Sequence, residues 1–257
     1  MDLTYSTYLK LDELLRLQRE SPEHDEMLFI VIHQVHELWF KLMLHELEKI
    51  QRDFQNNRLY EAIATFKRAR MILKTIVGQV DILETLTPMS FASFRSRLET
   101  SSGFQSVQFR ELEFFLGYKR PSMIQIQDSH PEDAEKLRQR LNSPSLVDAF
   151  YTFLEKQGVE IPEELKQKPV DTPTQPNEQL QESLYDLYVN KPDVQILFEM
   201  MTDFDEGFQE WRYRHIKLVE RTIGNKEGTG GSSGVEFLKR SLWLPLFPDL
   251  WAIRHRL

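Results

Sequence analysis

Two histidines stand where an imidazole is costly unless something holds it. His215 falls in the run Phe204, Phe208, Trp211, His215, Leu218, Thr222, and the 4-3-4-3-4 spacing places all six on one face of a helix. An imidazole inside such an aromatic and aliphatic stripe must have its nitrogens satisfied. A bond to a backbone carbonyl would do this, and so would an axial bond to a haem iron. His33 is the second case. It follows the apolar run Met27-Leu28-Phe29-Ile30-Val31-Ile32, with Phe29 and Glu37 at i−4 and i+4 and His36 one turn on.

Other metal chemistries fail on residue type or spacing. The chain has no cysteine, so disulfides, thiolate zinc sites, iron–sulfur clusters, a cysteine nucleophile and covalent haem attachment are excluded. Its seven histidines lie at 24, 33, 36, 45, 130, 215 and 255. A zincin needs H-E-x-x-H, but His36-Glu37 leads to Phe40 and His45-Glu46 leads to Lys49. A di-iron bundle needs Glu-x-x-His, and no histidine here has a glutamate three residues before it. Two separate histidines in apolar seams suit one ligand and one distal polar group better than a multi-histidine cage.

Arg95 shares a helical face with Phe91 and Leu98. A guanidinium among apolar groups calls for an anion, either an internal acid or the carboxylate of a ligand. The run Gly228-Thr229-Gly230-Gly231-Ser232-Ser233-Gly234 lacks the Lys-Ser/Thr that closes a Walker loop, because Lys226 precedes it. A substrate lid and a plain loop both fit this run. Trp39, Trp243 and Trp251 read as core residues.

The elements that must position these residues are helices, and the expected class is all-α. The apolar period of 3.6 predicts a short helix over Leu11–Arg19 and a long one from Asp25 to Phe54, roughly 45 Å at 1.5 Å per residue. The first half of the long helix is apolar on every side and is expected to be buried all round. A second long helix spans Leu59–Leu86. Thr87-Pro88 supplies the N-cap and first-turn proline of a third. Helix resumes over Gln105–Leu116, Glu132–Leu141, Leu146–Gln157, from Leu180, over Val194–Ile223 and from Val235. Val159–Asn177, with four of the twelve prolines, reads as an exposed connector. The 257 residues fit one domain, with about 120–195 as a helical insertion and connector.

Hydrophobic residues make up 40% and charged residues 28%, as in ordinary globular proteins, and the net charge of −8 argues against a nucleic-acid partner. With no long uncharged apolar stretch and no signal-peptide pattern at Met1-Asp2-Leu3-Thr4, a cytoplasmic protein without a membrane partner is expected.

Three blocks together resemble the tryptophan 2,3-dioxygenase family. They are Phe29-Ile30-Val31-Ile32-His33-Gln34-Val35-His36-Glu37-Leu38-Trp39-Phe40-Lys41, then Phe94-Arg95 with Ser102-Gly103-Phe104-Gln105-Ser106-Val107-Gln108-Phe109-Arg110, and finally Trp211-Arg212-Tyr213-Arg214-His215 leading into the glycine run. Their order is the family's, and they span nearly the whole chain; residues from about 120 to 195 match only loosely.

The resemblance implies a homotetramer with one b-type haem per subunit, ferrous when active. It maps His215 onto the iron ligand and His33 onto a distal histidine that accepts a hydrogen bond from the indole N–H of L-tryptophan. Arg95 would pair with the substrate carboxylate, and Thr229 would hold the ammonium when the glycine run closes. Phe29, Phe91 and Leu98 would wall the indole, with Ser102 and Gly103 beside the haem edge. Tyr5, Tyr8 and Leu9 match a segment that completes a neighbouring subunit's pocket. Some members carry tyrosine in place of Phe91, so carboxylate affinity would rest more heavily on Arg95 here. The implied reaction joins O2 to the indole and yields N-formyl-L-kynurenine, the first step of tryptophan degradation by the kynurenine pathway. The alternatives are a haem monooxygenase acting on a substituted indole and a haem-binding sensor without turnover.

Overall fold

A computed structural model describes residues 3–19, 21–127, 130–224, 226 and 234–257. Among them all regular structure is helical and no strand occurs. Two short helices, α1 (Tyr5–Leu9) and α2 (Leu11–Leu14), precede the 32-residue α3 (His24–Gln55). Asp25 and Glu26 in the first turn of α3 complement its positive end. Asn57, at φ 56, reverses the chain into α4 (Leu59–Leu83). α5 (Pro88–Arg95) starts as its sequence demands, with Thr87 Oγ1 accepting from the Ser90 amide at 3.1 Å and Pro88 in the first turn.

The next helices are α6 (Val107–Phe115), α7 (Pro131–Leu141), α8 (Leu146–Lys156), α9 (Glu163–Lys166) and α10 (Glu178–Asn190). The 32-residue α11 (Pro192–Ile223) follows, and α12 (Val235–Lys239) and α13 (Pro248–Ala252) close the chain.

α3, α4 and α11 form the framework, with α4 packed along both of the others. Gly207 permits the α4–α11 approach: a Cβ there would meet Leu73 Cδ2 at 3.2 Å. The core is rich in phenylalanine. Phe54, fully buried, has its ring 6.1 Å from Phe66, 5.6 Å from Phe150 and 5.3 Å from Phe153. Residues of α8 and α10, from the stretch expected to be an insertion, belong to this same core.

Lys119, fully buried after α6, fastens that stretch to the framework. Its ammonium donates to the carbonyls of Leu141 (2.8 Å), Ser143 (2.5 Å) and Val170. Burial pushes its pKa down to about 8. Beside it, Gly117 at φ 93 lies against Thr174, whose Oγ1 would be 2.6 Å from a Cβ, and the Thr174 amide donates to the Gly117 carbonyl at 3.1 Å.

Four expectations need correction. Val159–Asn177, expected as an exposed connector, buries Val159, Ile161, Leu165 and Asn177, because its apolar residues pack into the core that α8 and α10 share. Within Met27–Ile32 only Ile32 is buried, and Met27 and Val31 are 40% and 37% exposed; α4, α6 and α8 pack on other faces of α3 and nothing among the described residues covers this one. Trp243 is 80% exposed, because it lies in the turns after α12 rather than on a packed helix face, and Trp251 is 36% exposed, its indole N–H reaching in to Asp205 while the ring stays at the surface. The helix expected over Leu11–Arg19 stops at Leu14, and Tyr5–Leu9 is helical instead.

Candidate active site

One end of the α3–α4–α11 framework is filled with phenylalanine; the other encloses a cavity. Phe29, His33, His36 and Phe40 of α3 form one wall, and Trp211, His215, Leu218 and Thr222 of α11 form the facing one. The cavity volume is about 290 Å³, at the lower edge of the ~300–1,000 Å³ of ordinary small-molecule pockets. Two ties fix the near wall. Arg97, in the 3-10 turn after α5, donates to Ser21 at 2.6 Å, Glu26 at 3.0 Å and Glu23 at 3.3 Å. Gln108 at the start of α6 donates to the Glu37 carbonyl at 2.8 Å and to its carboxylate at 2.9 Å.

His33 has a fixed tautomer. Its Nδ1–H donates to the Phe29 carbonyl at 2.7 Å, since a carbonyl can only accept, and Nε2 is left as an acceptor. Burial lowers its pKa below the usual 6.5, outweighing the Phe29 bond and the nearby Glu37 charge. The Phe29 ring lies 4.0 Å from the imidazole and 5.8 Å from Phe91, so an apolar slot adjoins the acceptor nitrogen.

His215 differs. Its ring stacks on Trp211 at 5.2 Å and 9°, which fixes its plane. Among the described residues neither nitrogen has a hydrogen-bond partner, so the carbonyl-bonded arrangement belongs to His33 instead. Burial, with the His33, His36 and Arg110 charges adding to it, pushes the pKa down to about 4. The imidazole is therefore neutral at pH 7 and carries a free lone pair at the cavity wall, which is what a transition-metal ligand requires.

The sequence reading missed His36 and a charged group on the cavity floor. His36 lines the wall between His33 and Phe40, and burial lowers its pKa as well. Glu113 accepts from Arg110 at 2.5 Å and from Arg120 at 2.7 Å, and Arg212 stands close by. Burial pushes the Glu113 carboxyl up, but these three cations pull it below the usual carboxylate range. Arg110 and Glu113 at i, i+3 look like an ordinary surface pair in sequence; only packing brings Arg120 and Arg212 to the same carboxylate.

Of the other expected residues, Phe91, Arg95, Leu98, Ser102 and Gly103 all line the cavity. Arg95 ends α5 and Leu98 ends the 3-10 turn after it. Ser102 caps the next 3-10 turn, its Oγ accepting from the Phe104 amide at 3.3 Å. Tyr5, Tyr8 and Leu9 do not reach this chain's cavity and are 76%, 71% and 42% exposed on α1. Thr229 lies outside the described residues.

An all-helical protein whose aromatic cavity sets a histidine without a described partner on one wall and an acceptor histidine on the other has the form of a small-molecule-binding protein. Sequence comparison gives the particular family. The family model described as tryptophan 2,3-dioxygenase matches residues 1–189 and 182–257. A relative named tryptophan 2,3-dioxygenase from Herpetosiphon aurantiacus is 52% identical over 255 residues, covering 98% of this chain and 97% of its own length. Proteins of the same name from Anaeromyxobacter dehalogenans and Bacillus thuringiensis are 48% and 40% identical, covering 99% and 100% of this chain and 96% and 93% of their own. The chain belongs to the tryptophan 2,3-dioxygenase family, and thus to the oxidoreductases of the dioxygenase class.

Proposed function

We propose that this chain holds a b-type haem in the cavity and uses O2 to cleave the indole C2–C3 bond of L-tryptophan, giving N-formyl-L-kynurenine, the opening step of the kynurenine pathway. The observation that carries the reading is the pair of facing histidines with opposite arrangements: His215 neutral and without a described partner, His33 with one nitrogen engaged and the other an acceptor. The residues fit the group. The imidazole lone pair of His215, on a ring stacked against Trp211, would hold the iron, and Phe40, Phe109, Leu218 and Ile216 give the porphyrin apolar walls above the charged floor. When bound, the haem supplies the O2 chemistry that no side chain here can perform.

The remaining work falls to the chain. Phe29, Phe91 and Leu98 give the indole an apolar slot, and Nε2 of His33 accepts from the indole N–H. Indole N–H is far too weak an acid for a histidine whose own pKa is depressed, so His33 orients rather than deprotonates. Arg95 reads the carboxylate, and the role for Thr229 is to hold the ammonium. With the ring and both polar ends of the amino acid fixed, positioning supplies much of the acceleration.

Exposed apolar residues support assembly as a homotetramer. Met27, Val31, Leu38 and Leu42 form an open stripe on α3, and Tyr5, Tyr8 and Leu9 on α1 are equally open to a neighbouring copy whose pocket they would complete.

The test is aerobic turnover of the haem-loaded chain with L-tryptophan under 18O2. N-formylkynurenine carrying both labelled atoms is the expected product. A single labelled atom, or stoichiometric binding without turnover, would overturn the reading.

A further inference from the structure

On the cavity floor three arginines share one glutamate. Arg110 and Arg212 are each 4% exposed, and the Arg120 side chain is 20% exposed. Glu113 engages one nitrogen each of Arg110 and Arg120. Arg212 uses Nη1 on the Ser241 carbonyl at 3.0 Å and the Leu244 carbonyl at 2.8 Å. Nε of all three guanidiniums, and Nη2 of Arg212, are buried with no hydrogen-bond partner. Asp205, the buried carboxylate one stretch back on α11, lends its charge to Arg212 but no hydrogen bond. It already accepts from the Leu246 and Phe247 amides, the Trp251 indole and Gln209.

Two buried arginines and the partly buried Arg120 face Glu113, with the Asp205 charge acting on Arg212 from beyond, so the floor stays net positive, and buried guanidinium nitrogens without acceptors are costly. Aromatic faces soften part of that cost. Phe104 lies 5.2 Å from Arg110, Tyr118 4.5 Å from Arg120 and Phe208 4.8 Å from Arg212. A ring face accepts no hydrogen bond of carboxylate strength, so the group remains short of an anion. All three arginines line the cavity, and Arg212 lies one helical turn, about 4.5 Å of rise, before His215.

The geometry points to an anion site: Arg110, Arg120 and Arg212 form a receptor for a carboxylate of the porphyrin whose iron His215 would hold. This deepens, and rests on, the haem reading above. If His215 holds the iron, Arg110, Arg120 and Arg212 are the cavity residues that would receive a porphyrin carboxylate, through the guanidinium nitrogens that Glu113 leaves unmatched. Glu113 then has a defined task. It holds Arg110 and Arg120 in place and removes enough charge that the three cations can share one floor without the ligand. Arg95 stands apart, at the end of α5, for the carboxylate of the substrate.

Full-length chain loaded with iron protoporphyrin IX, and separately with its dimethyl ester, tests the site without any substitution. The diacid is expected to leave for excess apomyoglobin at least tenfold more slowly than the diester, while both show the Soret spectrum of a histidine-ligated haem. Equal rates overturn the carboxylate receptor and leave the haem reading intact. A chain that takes up neither form overturns both. Arg110→Met sharpens the result: haem loss should speed up at least tenfold, the midpoint potential should move negative, and the diacid–diester difference should shrink. An unchanged potential together with an unchanged difference in a folded Arg110→Met protein would overturn the assignment. If that variant fails to fold, the comparison of diacid and diester in the unaltered chain decides alone.

Discussion

The two long helices α3 and α11 each have one half that closes a core and another that opens a cavity. In α3 the distal half sets Leu47, Ile50 and Phe54, all fully buried, against α4 and α8; the proximal half turns Phe29, His33 and His36 into empty space. In α11 the order is reversed, with Leu197, Phe198, Met201 and Phe204 fully buried before Trp211 and His215 reach the cavity. The periodicity is the same throughout. What differs is the opposing surface: phenylalanine rings fill one end, while the floor of the other is made of charge. A helical stripe therefore specifies a direction, and the partner across from it decides whether the stripe becomes core or site.

If that division holds, substitutions in the two halves should separate stability from function. The largest effect is expected at His215. His215→Ala should purify almost free of haem with its far-ultraviolet dichroism unchanged, because the imidazole has no described hydrogen bond to lose; normal haem content would break the assignment. Next comes Phe54→Ala in the packed half, costing about 3–5 kcal/mol in urea unfolding, with KM for tryptophan unmoved in whatever fraction stays folded. Arg95→Leu should lower kcat/KM for L-tryptophan at least a hundredfold, about 2.8 kcal/mol, while binding of an indole lacking the carboxylate stays level. Parallel losses for both ligands would place Arg95 with the scaffold.

His33→Ala is the mildest, near 1 kcal/mol or about fivefold in kcat/KM, with haem retained. Its pH dependence gives a sharper test. The neutral imidazole is the acceptor, and burial holds the pKa below 6.5. The acceptor is thus fully present above that lowered pKa and is lost as pH falls through it, so the acid limb belonging to His33 should lie below pH 6.5 and vanish in the alanine variant. A limb above 6.5 that survives the substitution would assign the titration elsewhere.

The fold was legible to the extent that it rests on local signals. Thr87-Pro88 starts α5 as its residue types require, and the long helices fall where the 3.6 period runs uninterrupted. The site was legible where a residue stood out against its own helix, as His215 does within an aromatic seam and His33 within an aliphatic one. The charged floor was not. Arg110, Glu113, Arg120 and Arg212 are scattered over about a hundred positions, and each alone resembles a solvated side chain; their meeting depends on how α6 and α11 cross. Trp243 misled for the converse reason, since aromatic content marks a surface worth covering without saying whether this chain covers it. The exposed face of α3 carries the same lesson, its apolar residues unburied by any described segment of the chain itself.

The lysine clamp after α6 bears on how the chain tolerates being cut. The stretch containing Val170 and Thr174 is tied at both points to the segment holding Gly117 and Lys119. On one side of it Leu165 is buried, and on the other the buried Asn177 amide donates to Asp249 at 2.7 Å. A protease that nicks the backbone after exposed Lys166 would therefore produce two pieces with no slack between them. The N-terminal piece keeps α3, α4 and α8, and the C-terminal piece keeps α10 and α11, joined across the Phe54–Phe150–Phe198 rings as well as by the ammonium. The connector behaves as a mortised joint, so the severed halves remain one particle with the facing histidines still opposed.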